Sequence, residues 1–260
     1  QLNSLLALLK DRLVPLVVAR MIGTLGVGYI TWAQNLAYLP LELMSVMIRI
    51  TFPAFARLQD DRQNLSKAVE KSLFVTTFLT YPLIFGIAAI LPALVAHVVS
   101  SKWQPAVWTY YFFAFATLWS VVSTTLTNTL NSVGQVKTTL KLMVMWTTLE
   151  WILTPVLVYY FGFNGVGMAA FIISFSSLIT IFIVKKYIEI SIWRAIGWPL
   201  LMAILMGLIV AGYSWWWVRE AWMVWVAIGL GGIVYGLLAW VLIGKRLKQE
   251  LALIRSLRRG

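Results

Sequence analysis

Two oppositely charged side chains lie within a long apolar stretch of this sequence. Glu42 and Arg49 fall in residues 28–62, which read as one helix that passes Pro53 and ends in a charged run. The two residues are seven positions apart, so they share one face of that helix. A charged group at the centre of a bilayer costs roughly 2.5–3.5 kcal/mol, so such groups usually face a bundle interior or a wet cavity. Glu42 and Arg49 therefore either line a functional cavity or pair with neighbouring helices.

The chemistry that suits Arg49 is the binding of phosphate groups. A guanidinium is always charged and can bind a phosphate through two parallel hydrogen bonds, which an ammonium only partly mimics. The alternative is that Arg49 extends to the headgroups of the inner leaflet and only anchors its helix.

Further charged residues lie inside the predicted spans. Asp11 lies about 18 Å from the outer end of the first span, so Lys10, Asp11 and Arg12 are expected near the membrane midplane. Successive helical residues point about 100° apart, so these three side chains cannot all face one cavity. Arg20 lies nearer the outer end, and Glu150 lies near the middle of the fifth span. The sequence therefore predicts a polar, partly paired cavity.

The residues needed for catalysis or metal binding are scarce. The chain has one histidine, His97, at the outer end of the third span, and no cysteine. Asp60 and Asp61 stand beside Arg57 and Arg62 and are interpreted as part of a solvated, charge-balanced loop. The sequence gives no support for an enzyme, and it predicts no metal or cofactor.

Composition places the chain in a membrane. Hydrophobic residues make up 61% of the sequence and charged residues 12%, whereas a soluble domain is about half apolar and a quarter charged. We predict an all-α polytopic membrane protein with eight transmembrane helices, of which the fourth is rich in Thr and Ser. The predicted spans are residues 1–22, 28–62, about 72–98, 106–131, 141–161, 167–185, 195–217 and 222–243.

The basic residues are distributed unevenly between the two sides. One set of loops, with the C-terminal tail, holds 15 Lys and Arg residues, and the opposite loops hold two. By the positive-inside rule the first set is cytoplasmic, as are both ends of the chain. This sidedness explains the net charge of +12 without a nucleic-acid partner. Residues 244–260 place apolar side chains at helical spacing among basic ones, which predicts an amphipathic helix on the inner leaflet or a solvated basic tail.

One glycine pattern occurs twice. Residues 23–28 and residues 162–167 both have the spacing G-x-x-G-V-G, and both fall on the outer side. Glycine permits the positive φ angles of tight turns, so we predict a hairpin turn at each.

Several short motifs occur in order along the chain: Asp11, RMIG at 20–23, VGY at 27–29, Ala33, Leu39-Pro40, FPAFARLQDD at 52–61, Tyr81-Pro82, KWQPA at 102–106 and GFNGVGMA at 162–169. In this order and spacing they resemble the second half of the bacterial polysaccharide and lipid-linked oligosaccharide flippases, which belong to the multidrug/oligosaccharidyl-lipid/polysaccharide exporter superfamily. The resemblance extends to about residue 185; residues 186–260 match only as two extra spans and a tail.

The resemblance implies two six-helix lobes around a central cavity, followed in some members by two further helices. Residues 1–190 would then be the second lobe, 191–243 the appended hairpin and 244–260 the basic tail, with the first lobe missing. Members move undecaprenyl-diphosphate-linked glycans across the inner membrane by alternating access, and cavity Arg and Lys residues attract the diphosphate. The residues expected to bind substrate in this way are Arg49, Arg12, Lys10 and Arg20.

Two other functions are considered. Asp11, Glu42 and Glu150 could form an ion-coupling or charge network, as in a cation-coupled multidrug antiporter. A membrane-embedded polysaccharide polymerase or glycosyltransferase is the other alternative. Such enzymes usually carry a large outer loop, and the outer loops here are short.

Overall fold

The architecture is taken from a computed structural model that describes residues 2–257, with the side chains of residues 18–244. Every regular element in this part of the chain is helical, as predicted. The helices are α1 (Leu2–Arg57), α2 (Arg62–Leu94), α3 (Ala106–Ser132), α4 (Val136–Phe161), α5 (Asn164–Ser174), α6 (Ser177–Val184), α7 (Ile192–Trp217) and α8 (Ala221–Leu257). A π-helical turn, Val95–Val99, and a 3₁₀ turn, Ser101–Trp103, connect α2 to α3.

Seven stretches between residues 18 and 244 are long and apolar enough to cross a membrane. They are Val18–Arg57, Arg62–Val99, Ala106–Ser132, Val136–Phe161, Asn164–Val184, Ile192–Trp217 and Ala221–Gly244. Helices α5 and α6 together form one of these stretches, which is interrupted at Phe175 and Ser176. The predicted count of eight is not confirmed, because most of the predicted first span precedes the residues with described side chains.

Helix α1 bends at one glycine. Gly23 has φ 71° and ψ 178°, a conformation that is essentially restricted to glycine. The chain is helical again from the next residue, so the predicted six-residue turn at 23–28 is wrong in extent. Beyond the bend, residues 24–57 form a helix about 50 Å long, which exceeds the roughly 30 Å of the hydrocarbon core.

The second glycine pattern combines a turn with close helix packing. Gly162 ends α4 with φ 59°, and α5 begins two residues later, so the predicted hairpin is present here. Gly165 and Gly167 lie within α5. A Cβ at Gly165 would lie 2.3 Å from the backbone of Leu157, and one at Gly167 would lie 3.0 Å from Cβ of Phe112. These two glycines let α5 approach α4 and α3.

Helix α2 begins ten residues before the predicted start of the third span. The Asp61 carboxylate accepts hydrogen bonds from the backbone N–H of Asn64 at 3.0 Å and from its side-chain amide at 2.7 Å. These bonds lower the pKa of Asp61 and cap the first turn of α2. Three apolar side chains at helical spacing in this segment are also fully buried: Leu65, Val69 and Leu73. Residues 62–71 are therefore helix, and their prediction as a polar loop was wrong.

The helices pack in two groups, and this packing determines which helix surfaces remain exposed. On one side α3, and to a lesser extent α2 and α4, pack against α1. On the other side α7 packs along α2, and α8 packs against both. Gly207 of α7 lies against Phe85 of α2, and the hydroxyl of Tyr235 in α8 donates to the carbonyl of Phe78 at 2.9 Å.

Candidate functional site

A narrow face of α1 beyond Gly23 carries exposed polar side chains, and the exposed apolar side chains of Leu39 and Val46 lie beside them. We call it the polar face of α1; its residues are Thr31, Asn35, Glu42 and Arg49, and all four side chains are exposed. The opposite face is apolar and buried, through Ile30, Ala33, Ala37 and Met44. The buried face packs mainly on α3, and this packing directs the polar face away from the chain's own core.

Glu42 and Arg49 lie on this face, well away from the ends of α1. They are two helical turns apart, about 10 Å along the axis, and Arg49 lies about 12 Å before the helix ends at Arg57. Both side chains are exposed, so the helices between residues 18 and 244 do not cover them. Because lipid is a poor environment for either charge, this face requires water or another protein surface against it.

The remaining predicted cations lie elsewhere or are not described. Arg20 is exposed and precedes the bend at Gly23. The side chains of Lys10, Asp11 and Arg12 lie outside the described residues.

Glu150 lies in a different environment from Glu42. It is half-buried and lines a cavity of about 240 Å³, into which α1 contributes Gln34 and Tyr38. The walls come from α1, α3, α4, α5 and α6 and are rich in hydroxyl groups: Ser120, Ser123, Thr124, Thr154, Ser174 and Ser177. We call this space the Glu150 cavity.

The Glu150 cavity is suited to water, a proton or a small hard cation. The hydroxyl of Ser120 donates to the carbonyl of Ala116 at 3.0 Å, and that of Ser174 to Phe171 at 2.6 Å, which leaves their oxygen lone pairs available. The hydroxyl of Thr154 is buried and has no hydrogen-bond partner among the described atoms, so a guest in the cavity would satisfy it. Oxygen ligands of this kind are preferred by hard cations. Among the described residues, no cluster of three His, Cys, Asp or Glu side chains forms a metal site.

Sequence reasoning found Glu150 but missed the hydroxyl residues around it. The available signal was the helical spacing of polar residues in α3, where Ser120 and Thr124 stand one turn apart on a face that also carries Thr117 and Thr127. A Thr- and Ser-rich span was recognised without using this spacing.

Comparison with known proteins shows which proteins the chain is similar to. Residues 1–108 match the family model described as polysaccharide biosynthesis protein. Lipopolysaccharide biosynthesis protein WzxC of Escherichia coli K12 is 32% identical over 103 residues, which is 39% of this chain and 21% of that protein. The succinoglycan biosynthesis transport protein ExoT of Rhizobium meliloti is 30% identical over 91 residues, 35% of this chain and 18% of that protein. Over its first 108 residues this chain is therefore similar to polysaccharide biosynthesis and transport proteins. The predicted resemblance is confirmed.

The fold of the chain is also similar to that of a solved transporter. It superimposes on the inward closed conformation of the lipid II flippase MurJ with a TM-score of 0.75 over 92% of this chain and 52% of that structure, at 14% identity. The chain thus spans about half of the solved structure, and its matches cover about a fifth of WzxC and of ExoT. Its apolar helices and this kinship make it a multi-pass membrane protein.

Proposed function

We propose that this chain is the second lobe of a flippase that moves a lipid-linked glycan across the bacterial inner membrane by alternating access, and not an enzyme. The names of the relatives support transport of polysaccharide units. The carrier we propose is undecaprenyl diphosphate, and the missing partner is an N-terminal lobe.

The observation that carries the proposal is the exposed polar face of α1. A carboxylate and a guanidinium within a membrane-crossing helix, left uncovered by the described part of their own chain, fit a surface that lines a wet cavity between two lobes. In a complete protein the first lobe would face this surface, and the cavity between the lobes would open to either side in turn.

In this proposal Arg49 binds the phosphates of the carrier as they enter the cavity. Its guanidinium can hold two phosphate oxygens at once, and Arg20, Arg12 and Lys10 extend the cationic path toward the outer side. Glu42, two turns away on the same face, keeps the cavity from being so cationic that the diphosphate is trapped.

The Glu150 cavity is the site that binds the coupling cation or proton in this proposal. A cation bound there would add charge between α1, α4 and α5 and could shift the balance between two packings of the lobe. This cavity also favours the second candidate, a cation-coupled multidrug antiporter, since such a transporter would need the same ion site and no phosphate ligand on α1.

The orientation we propose follows the basic loops. Connections α1–α2, α3–α4 and α6–α7 and the basic tail, residues 244–260, would be cytoplasmic, and residues 1–22 would form an eighth span with its start on the same side.

Arg49 provides the test of the proposed function. In the complete transporter, Arg49→Ala is expected to lower glycan export at least tenfold at normal protein abundance, because one charged bidentate contact is worth a few kcal/mol. Arg49→Lys is expected to retain little export. Export is measured as surface polysaccharide in a strain that lacks its own exporter.

The matched control is Arg57→Ala, which removes the same charge from the end of the same helix and should leave export unchanged. Full export by Arg49→Ala at equal abundance would remove Arg49 from the site. An anchoring role for Arg49 would instead make Arg49→Lys silent.

A further inference from the structure

A second charged cavity lies on the side of the helix bundle that carries the basic loops. It has a volume of about 520 Å³ and forms where the start of α2 meets the α6–α7 connection. We call it the basic pocket; five cationic side chains line it: Arg62, Lys67, Lys185, Lys186 and Arg194. It lies on the α2–α7 side of the chain and shares no residue with the polar face of α1.

The cations outnumber the available carboxylates. Glu70 and Glu189 also line the pocket, but one oxygen of Glu70 accepts a hydrogen bond from the backbone N–H of Ser191 at 2.6 Å. Glu70 therefore caps the start of α7, an end that Ser191 itself leaves without a side-chain cap. The pocket keeps an excess of positive charge.

The walls of the basic pocket are fixed by contacts between distant parts of the chain. The hydroxyl of Ser66 in α2 donates to the backbone carbonyl of Glu189, and Ile188 and Ile190 on either side are buried in the core beneath the loop. The cationic side chains therefore project from a backbone that is already ordered.

An apolar groove begins where the basic pocket ends. It has a volume of about 450 Å³ and follows α7 from Trp193 to Ile204. Arg194 lines both the pocket and the groove. Gly197 lies within the groove, where the absence of a side chain leaves room beside Trp193 and Trp198. Tryptophans at the start of a membrane-crossing helix are typical of the headgroup level.

We propose that the basic pocket and the groove of α7 together bind one anionic phospholipid. The phosphate headgroup occupies the basic pocket, and one acyl chain lies along the groove from Trp193 toward Ile204. Basic pockets at the membrane surface recognise anionic headgroups, and continuity with an apolar groove favours a lipid over a free phosphate. The proposal does not depend on which glycan the protein moves, because the site lies on α2 and α7.

The test measures lipid binding to the purified chain in detergent by native mass spectrometry, with phosphatidylglycerol and phosphatidylcholine as probes. The variant Lys185→Gln/Lys186→Gln is expected to weaken phosphatidylglycerol binding roughly tenfold or more and to leave phosphatidylcholine binding unchanged. The matched control is Lys137→Gln/Lys141→Gln, which removes two exposed lysines from the α3–α4 end of α4, outside the pocket. An equal loss in both double variants, or no loss in either, would overturn the proposal.

A second experiment distinguishes a site for a lipid from a site for free phosphate. Gly197→Leu fills the groove and is expected to weaken phosphatidylglycerol binding, while sn-glycerol 3-phosphate should compete poorly with the lipid. If Gly197→Leu does not yield folded protein, Leu201→Trp fills the same groove from the next turn. Effective competition by glycerol 3-phosphate, together with unchanged lipid binding in the filled variants, would identify a free-phosphate site and refute the lipid.

Discussion

At the scale of single residues, two carboxylates in the membrane-crossing helices, Glu42 and Glu150, have different surroundings and should have different roles. Glu42 is exposed on the polar face of α1, whereas Glu150 is half-buried among hydroxyl groups. A carboxylate surrounded by oxygen ligands in a small cavity can hold a cation or a proton. One on an open face contributes mainly to the electrostatic field of whatever cavity forms there.

Glu150→Gln should uncouple transport from its driving ion. The amide keeps the size of the side chain and its acceptor oxygen but removes the negative charge, so cation or proton binding is expected to be lost. Transport by the complete protein in spheroplasts should then respond at least tenfold less to an imposed sodium or proton gradient, by analogy with the loss of a charged contact.

Glu189→Gln serves as the control, because it removes a carboxylate from the α6–α7 connection. This variant should keep the normal response of transport to the gradient. A gradient response that is unaltered in Glu150→Gln would exclude Glu150 from coupling.

The charged residues of these sites could be predicted from the sequence and the hydroxyl residues could not, for a physical reason. Arg49 and Glu42 stand out because charge in an apolar stretch is costly, and helical geometry alone places them on one face. Serine and threonine are inexpensive in membrane helices because their hydroxyls bond to carbonyls of their own helix, as Ser120 does. The hydroxyl walls of the Glu150 cavity therefore depend on how five elements pack, which composition does not reveal.

At the scale of elements, glycine decides how closely α5 approaches α4. In Gly165→Ala the new Cβ would lie 2.3 Å from the Leu157 backbone, so the two helices must separate. Overpacking of this kind costs roughly 1–3 kcal/mol, and we expect a lower melting temperature in detergent by static light scattering or by fluorescence.

Gly212→Ala in α7 is the paired control, because no atom lies within 4 Å of the position of its new Cβ. Alanine there is expected to be neutral or to stabilise by roughly 0.5–1 kcal/mol. Equal melting temperatures for Gly165→Ala and Gly212→Ala would show that the α4–α5 contact is looser than described.

Element boundaries were predictable where polarity and helicity change together. The ends of α3 and α7 lie within a few residues of their predictions for this reason. The start of α2 was missed because Leu65 and Val69 bury an apolar face in a segment whose overall composition is polar. The bend of α1 was predicted too long, since a single residue, Gly23, kinks the local backbone and the following glycines remain helical.

At the scale of the whole molecule, the charge asymmetry of the loops predicts a fixed orientation. A reporter fused after Lys71 or at Gly260 should read cytoplasmic, and one inserted near Lys102 or Arg219 should read external. Paired phosphatase and fluorescent-protein fusions measure this directly.

An external signal at Gly260 would contradict the eight-span arrangement. The insertion near Lys102 is the internal control, because it lies on the opposite side from Lys71 and is separated from it by a single span.

The uncovered polar face of α1 also bears on how the protein is made. A newly inserted lobe would hold Glu42 and Arg49 against lipid until a partner surface reaches it, and water drawn into the bilayer would thin the membrane locally around them. A partner that is already folded in the membrane would shorten the time that Glu42 and Arg49 spend against lipid. In a lobe synthesised alone, the two side chains would stay against lipid. In the two-lobe arrangement that we propose, this feature would expose the isolated lobe to membrane proteases, and we expect its survival in the cell to depend on the timing of assembly.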